Sequence, residues 1–275
     1  MITGTIQKML AQADEQGSVH YHMRIGQEVV GLNALLGQKV SLDFSGQIIC
    51  QHCQKTTKKS FNQGYCYRCF TKLAACDTCI MSPEKCHYHK GTCRQPEWAD
   101  EYCMQSHYVY LANSSGLKVG ITRGDQLPTR WLDQGAIQGR AIFKVMNRRI
   151  SGLVETAFKQ EVADKTNWRA MLKGDVEPID LEVQQEQLLN WLSQELDALQ
   201  FEFGLESIMD LTTENKTHDF SYPVLEFPNK ITSINAEKTP KVEGQLLGIK
   251  GQYWLLDSGV INIRKYTGYE ATFTW

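Results

Sequence analysis

Cys50 and Cys53, followed by Cys66 and Cys69, are the residues of this chain whose type and spacing point most directly to chemistry. Twelve residues separate the two CxxC pairs, enough for two tight knuckles to face each other and offer four thiolates to one tetrahedral ion. Zinc suits such a donor set because it has no redox chemistry and accepts the geometry the knuckles provide. Four protein ligands leave no open position for a reacting water, so the expected role is structural. Binding would contribute on the order of 10 kcal/mol to folding a segment with little apolar core of its own.

A second set follows in Cys76, Cys79, Cys86 and Cys93, with His87 and His89 competing for the last position. The spacing leaves open how the thiols are shared, since any two CxxC pairs can hold one ion, so one or two zinc ions are expected. An iron-sulfur cluster, a thioredoxin-like dithiol and disulfides are the other uses of grouped cysteines. Cys103 is the ninth cysteine; with His107 four residues on it could extend a metal site, but it is expected as a free buried thiol. Lys55, Lys58, Lys59, Arg68 and Lys72 alternate with Phe61, Tyr65, Tyr67 and Phe70 between and beside the knuckles. Cations that meet phosphates and rings that stack on bases are what a nucleic-acid-binding ribbon needs, while in a small module the same rings also serve as core.

Charge is distributed to match. Residues 50–95 carry eight Lys/Arg against two acids, and 106–175 carry eleven against six, whereas 176–275 carry seven against sixteen. A polyanion would therefore meet the middle of the chain, with Lys118 and Arg123 as further contacts. The chain has 275 residues, 42% of them hydrophobic, enough to bury real cores. No run reaches the roughly 18 apolar residues a membrane helix needs, and the start lacks the basic and apolar regions of a leader. With eight of nine cysteines between residues 50 and 93 in metal-type pairs, a reducing cytoplasm is expected, with no membrane partner.

The elements that must position these residues are legible as patterns. Residues 1–49 alternate in "VHYHMRI" and "KVSLDF", which predicts short strands in a small antiparallel sheet. The cysteine-rich module spans 50–104. "HYVYLA" and "LKVGIT" flank Asn113 to Gly116 as a hairpin, "PTRWLDQ" is a short helix opened by proline, and "AIFKVM" is a third strand. Ile150, Leu153, Val154, Ala157, Phe158 and Val162 recur at helical spacing, closing a unit over 105–175. A helix is expected over Leu181 to Leu199 within 176–204, then an irregular connection over 205–240. The closing part of 205–275 returns to strands. "LLGQKVSLDFSGQII" and "LLGIKGQYWLLDSGVIN" resemble each other, and both are expected in one β domain built from the two ends. The fold class is α+β.

The segment "HYVYLANSSGLKVGITRGDQLPTRWLDQ" resembles the opening of the GIY-YIG endonuclease fold. Tyr108, Val109 and Tyr110 stand where "GIY" would be, and Lys118, Val119 and Gly120 where "YIG" would be. Arg130 takes the arginine position and Glu155 the glutamate position. The resemblance covers about 107–175; Lys118 replaces the second tyrosine, and Gln134 stands where nucleases usually carry histidine or tyrosine. It implies Mg²⁺-dependent phosphodiester cleavage, with Glu155 holding the ion, Arg130 taking charge on the phosphate and Tyr110 positioning or deprotonating water. Across most of its length the chain also resembles a bacterial family of domains of unknown function, through "GYCYRC", "CDTCIMSPEKCHYHKGTCRQPEWADEYC", "LKVGITR" and "DKTNWR". That resemblance implies a bacterial intracellular protein and supplies no activity.

These readings give a zinc-stabilised protein that binds nucleic acid, DNA or RNA, with metal-dependent strand cleavage added by the resemblance. The alternative is a non-catalytic zinc-dependent module that binds a protein partner, and a third is thiol redox or metal handling through Cys76, Cys79 and Cys103.

Overall fold

The computed structural model describes residues 1–162 and 165–275. Alternation sets the first sheet. In Lys39–Ile49 the buried residues Val40, Leu42 and Phe44 fall on every second position, so one face is core and the other solvent. This strand pairs antiparallel with Lys241–Lys250 on one side and with Tyr269–Thr274 on the other, placing Lys241 opposite Asp43 and Phe273 opposite Leu42. Ile2–Thr5 adds to the free edge of Tyr269–Thr274, Tyr253–Leu256 and Gly259–Asn262 extend the other side, and Thr56–Thr57 pairs with the end of Lys39–Ile49. The two ends of the chain thus build one β unit. Residues 1–49 are not the single small sheet expected: Leu10–Ala13, Val19–Ile25 and Glu28–Gly31 form a separate three-stranded meander, because Lys39–Ile49 finds its partners in the C-terminal segment.

A five-stranded antiparallel sheet holds the middle of the chain, in the order Ile208–Asp210, Gln138–Val145, His107–Asn113, Leu117–Arg123, with His218–Asp219 also on Gln138–Val145. His107–Asn113 is apolar almost throughout because both its faces are covered. Tyr110 and Ala112 join the core of the terminal β unit, whereas Val109 and Leu111 face Ile150, Val154, Phe158, Leu188 and Leu192. Each such side chain contributes roughly 1.5–3 kcal/mol relative to exposure. The short helix Thr129–Asp133 drives Trp131 and Leu132 into the first core, and Arg148–Phe158 covers the opposite face.

Two expectations change at the C-terminal side. The single helix over 181–199 is two, Leu181–Trp191 and Ser193–Phe203, broken at Leu192 (φ −104°, ψ 11°). Leu192 stays buried at the break, and the turn lets Leu196, Leu199 and Phe203 reach the same core. The connection over 205–240 contributes the edge strands Ile208–Asp210 and His218–Asp219 before running on with isolated bridges such as Val224 to Gly248. Among the described residues no helix is long and apolar enough to cross a membrane.

The cysteine-rich segment lies against both units. Gly152, within the helix Arg148–Phe158, is the point of closest approach: a Cβ there would stand 2.5 Å from the Glu84 nitrogen and 2.6 Å from Pro83 Cβ. Only glycine lets the helix backbone meet the Pro83–Lys85 turn so closely.

Candidate metal centre and adjoining cleft

The strand Lys39–Ile49 delivers Cys50, which is fully buried, to the first knuckle. The Cys50 N–H donates to the Lys55 carbonyl at 3.0 Å and its own carbonyl accepts from Gln54 N–H at 2.9 Å, with Gln54 in the left-handed region at φ 57°. Opposite, Cys66 caps the helix Tyr67–Lys72 and Cys69 lies inside it. The four sulphurs lie within 4.8 Å of one another, and Cys53 Sγ and Cys66 Sγ are 3.8 Å apart. Tetrahedral zinc with bonds of about 2.3 Å needs sulphurs about 3.8 Å apart. Burial opposes ionisation of Cys50, but the N–H groups of Cys53, Cys66 and His52 outweigh it and bring that thiol down to about 6. Cys69 is instead pushed up by burial and by the three neighbouring sulphurs. Four thiolates cannot crowd together unless a cation neutralises them, so the donor set fits a divalent, thiophilic ion such as zinc.

The later cysteines divide differently from the CxxC pattern. Cys76 packs with Cys50, Cys69 and Leu73 beside the first site. Cys79, Cys86 and Cys93 instead line a small cavity of about 10 Å³ together with Cys103. His89 is exposed. His87 is engaged through both ring nitrogens: Nδ1 lies 2.8 Å from Thr92 Oγ1, and Nε2 lies 3.4 Å from Asp77 Oδ2. Asp77 also accepts from Arg94 Nε at 2.9 Å and caps the helix Thr78–Met81 by accepting from Thr78 N–H at 2.6 Å. Asp77, Cys79 and His87 are close enough to share an ion, yet the Asp77 and His87 polar atoms already brace the loop. Burial pushes the Cys79 and Cys103 thiols up to about 11 each, so both keep their protons at neutral pH unless a metal displaces them.

Beside the first knuckles opens a cleft of about 670 Å³, bounded by Asn62, Gln63 and Tyr65 of the cysteine-rich segment, by the hairpin strand Leu117–Arg123 and by the terminal β unit. Lys8, Arg123, Arg130, Arg148 and Arg264 line it against, among the described residues, the single carboxylate of Asp133. Lys8 pairs with Asp133, and Arg123 makes a two-pronged pair with Asp125 at 2.6 and 2.7 Å. Arg264 Nε donates to Gln63 Oε1 at 2.8 Å, and Arg148 Nη2 donates to the Ile80 carbonyl at 2.6 Å. The Nε atoms of Arg130 and Arg148 have no hydrogen-bond partner among the described residues. Positive charge on this wall is therefore only partly compensated.

Of the three residues read as catalytic, one lines the cleft. Tyr110 is fully buried; its hydroxyl donates to Gln134 Oε1 at 3.2 Å, and its ring lies against Gly120, where a Cβ would be 2.5 Å from the phenol oxygen. Arg130 lies near enough to act electrostatically on that phenol and faces the cleft. Glu155, with its side chain 12% exposed, pairs with Lys159 at 3.1 Å and lies near enough to act electrostatically on Tyr110 and Arg148. Lys118, read as a nucleic-acid contact, is corrected: it is buried, and its Nζ donates to Gln134 Oε1 and, at 3.0 Å, to Thr166 Oγ1. It points into the sheet's own polar network because the strand Leu117–Arg123 turns that face inward. Lys55, Lys58, Lys59 and Arg68 are exposed. Phe61 stacks on Phe70 and meets Tyr67, both at 5.5 Å between centroids, so part of the aromatic set is module core while Tyr67 stays 64% exposed.

The family model described as "Protein of unknown function (DUF2797)" matches residues 37–271, which takes in the cysteines, the five-stranded sheet and most of the terminal β unit. The chain belongs to the DUF2797 family. No curated protein and no solved structure matches it. Within this DUF2797 chain, sequence reading missed Lys8, Arg148 and Arg264 on the cleft wall, since they come from segments far apart in the chain and share no motif. It also set Cys103 apart, although the position of that residue at the C-terminal end of Pro96–Tyr102 carries it back to Cys79 and Cys86.

Proposed function

We propose that the chain binds the phosphate backbone of a nucleic acid in this cleft, with the zinc-held knuckles as its rigid wall. The observation that carries the proposal is the convergence of Arg123, Arg130, Arg148, Arg264 and Lys8 from four separate regions on one open cavity with, among the described residues, a single facing carboxylate. Guanidinium forks match phosphate oxygens in a plane, and Arg130 and Arg148 both line the cleft without a carboxylate partner among the described residues. The exposed Lys55, Lys58, Lys59 and Arg68 extend the same sign of charge along the module.

The order strand, strand, helix, strand, helix over residues 107–158 is compatible with the GIY-YIG resemblance, and Arg130 occupies the cleft. Cleavage is the weaker part of that reading, because Tyr110 is covered and Glu155 is tied to Lys159. Binding without cleavage fits these positions better. The protein-partner alternative has support in a different place: Trp191, Phe201 and Leu205 are 62%, 94% and 79% exposed on the acid-rich C-terminal side.

The test is fluorescence anisotropy with short single-stranded and duplex DNA and RNA. Arg130→Ala/Arg148→Ala should weaken binding at least tenfold, and Trp191→Ala should leave it unchanged. Equal affinity in the arginine variant would refute the proposal. Incubation with Mg²⁺ in the same assay, comparing Glu155→Gln with wild type, reports whether strands are cut.

A further inference from the structure

The first centre accounts for four of the nine cysteines, and Cys76 packs beside it. The remaining four thiols, Cys79, Cys86, Cys93 and Cys103, come from four successive pieces of chain. Cys79 lies in the helix Thr78–Met81, Cys86 follows the turn Pro83–Lys85, Cys93 precedes Arg94, and Cys103 closes the helix Pro96–Tyr102. All four line one small cavity. We infer that Cys79, Cys86, Cys93 and Cys103 form a second metal centre, separate from the first, that takes a thiophilic metal.

The packing supports this over a cluster of idle thiols. Core cysteines behave as small hydrophobes and fill space, and protein interiors leave few voids as large as a water molecule. Here the four line such a void instead of closing it, sharing its wall with Asp77, His87 and apolar neighbours such as Ile80, Trp98 and Ala99. A buried water needs two to four good polar partners, and thiols are weak donors and weak acceptors. The space is therefore a poor site for water and has room for a single ion that binds sulphur.

The surroundings fix the ligand-bearing loops. Asp77 joins Arg94 and His87, and His87 joins Thr92, so the segments carrying Cys79, Cys86 and Cys93 are tied to one another. Arg148 N–H donates to the Cys103 carbonyl at 2.8 Å while the Arg148 side chain donates to the Ile80 carbonyl, which ties the fourth ligand to the first. Ligand loops held this way need little ordering when metal enters.

Size separates this centre from the first. The four sulphurs of the knuckles all lie within 4.8 Å of one another, whereas these four do not form such a group. A lone zinc ion would require them to contract to about 3.8 Å. The cavity between them, about 10 Å³, has room for one ion and not for several irons bridged by sulphide, so a single ion that draws the sulphurs together is the expected occupant.

The experiment is metal and acid-labile sulphide analysis of the full chain purified without oxygen, with an absorption spectrum from 300 to 700 nm. We expect about two zinc ions per chain and no visible absorption band; one zinc together with iron, sulphide and a visible band would support the same four ligands with a cluster in place of the single ion. In either case Cys93→Ser and Cys103→Ser should lose the second metal and Cys76→Ser should keep it. Retention of the first zinc in each variant shows that the chain has folded. One zinc and nothing else in wild type, or loss of the second metal in Cys76→Ser but not in Cys103→Ser, overturns the assignment.

Discussion

Gly152 should be intolerant of any side chain, and the structure gives the size of the effect. In an ordinary helix Gly→Ala gains about 1 kcal/mol, since alanine loses less backbone entropy. At Gly152 the new methyl would sit 2.5 Å from the Glu84 nitrogen, 2.6 Å from Pro83 Cβ and 2.8 Å from the Pro83 carbonyl carbon. These are backbone and ring atoms, which cannot swing aside, so helix and turn must separate. Overpacking of this kind costs roughly 1–3 kcal/mol, and with clashes below 3 Å the upper end applies, leaving Gly152→Ala about 1–2 kcal/mol less stable than wild type. Gly152→Val forfeits most of the helix gain and adds two more methyls, so about 3 kcal/mol should be lost. At roughly 2–4 °C per kcal/mol for a chain of this size, the melting temperature should fall by about 2–8 °C for alanine and further for valine. Gly31→Ala is the control, because the nearest atom to its Cβ is His22 Cδ2 at 3.9 Å, and its effect should stay within about 0.5 kcal/mol. Calorimetric melting of the three variants decides the matter. If Gly152→Ala melts at or above wild type, the helix does not bear directly on the cysteine-rich segment as described.

Two further outcomes follow from the same geometry. His107 is held neutral down to about 4, chiefly by burial, with Arg148 and Arg123 adding to the effect and the Gln105 carbonyl and Asp125 opposing it. Its folded pKa lies below the unfolded value of about 6.5, so the unfolded chain binds the extra proton first and stability falls as pH drops from about 6.5 toward 4, by up to about 3 kcal/mol. Urea melts across that range should show a shallower acid-side loss in His107→Phe than in wild type; parallel slopes would remove the argument. Chelation of the first centre should unfold the knuckles locally, loosening the backbone at the already exposed Lys55, Lys58, Lys59 and Arg68 so that trypsin cuts there faster, while fragments containing the five-stranded sheet persist. Unchanged cleavage after verified zinc loss would show that the metal does not hold the segment.

The first centre was legible because its ligands are local: each CxxC pair is a knuckle by itself, and one short interval joins them. The hairpin, the helix after Pro128 and the helix carrying Glu155 were legible for the same reason, since turn residues and apolar spacing act over a few positions. What failed was non-local. The likeness of "LLGQKVSLDFSGQII" to "LLGIKGQYWLLDSGVIN" pointed to the pairing of Lys39–Ile49 with Lys241–Lys250, but nothing within the first 49 residues marks residues 10–31 as a separate sheet. Lys118 looks like a surface cation, yet the packing of both sheet faces turns it inward onto Gln134 and Thr166. The grouping of Cys103 with Cys79 and Cys86 was hidden because CxxC spacing draws Cys76 and Cys79 together, whereas the chain sends them to opposite sides.

The salt dependence of oligonucleotide affinity tests the cationic cleft most directly. Arg130, Arg148 and Arg264 have no facing carboxylate in an ion pair among the described residues, and each phosphate neutralised on a single strand contributes about 0.7 to the slope of log affinity against log salt. Wild type should therefore show a slope of about −2 or steeper between 50 and 300 mM KCl, and Arg130→Ala/Arg148→Ala should flatten it by roughly 1.4. A slope near zero in wild type, or the same slope in both proteins, would contradict the account.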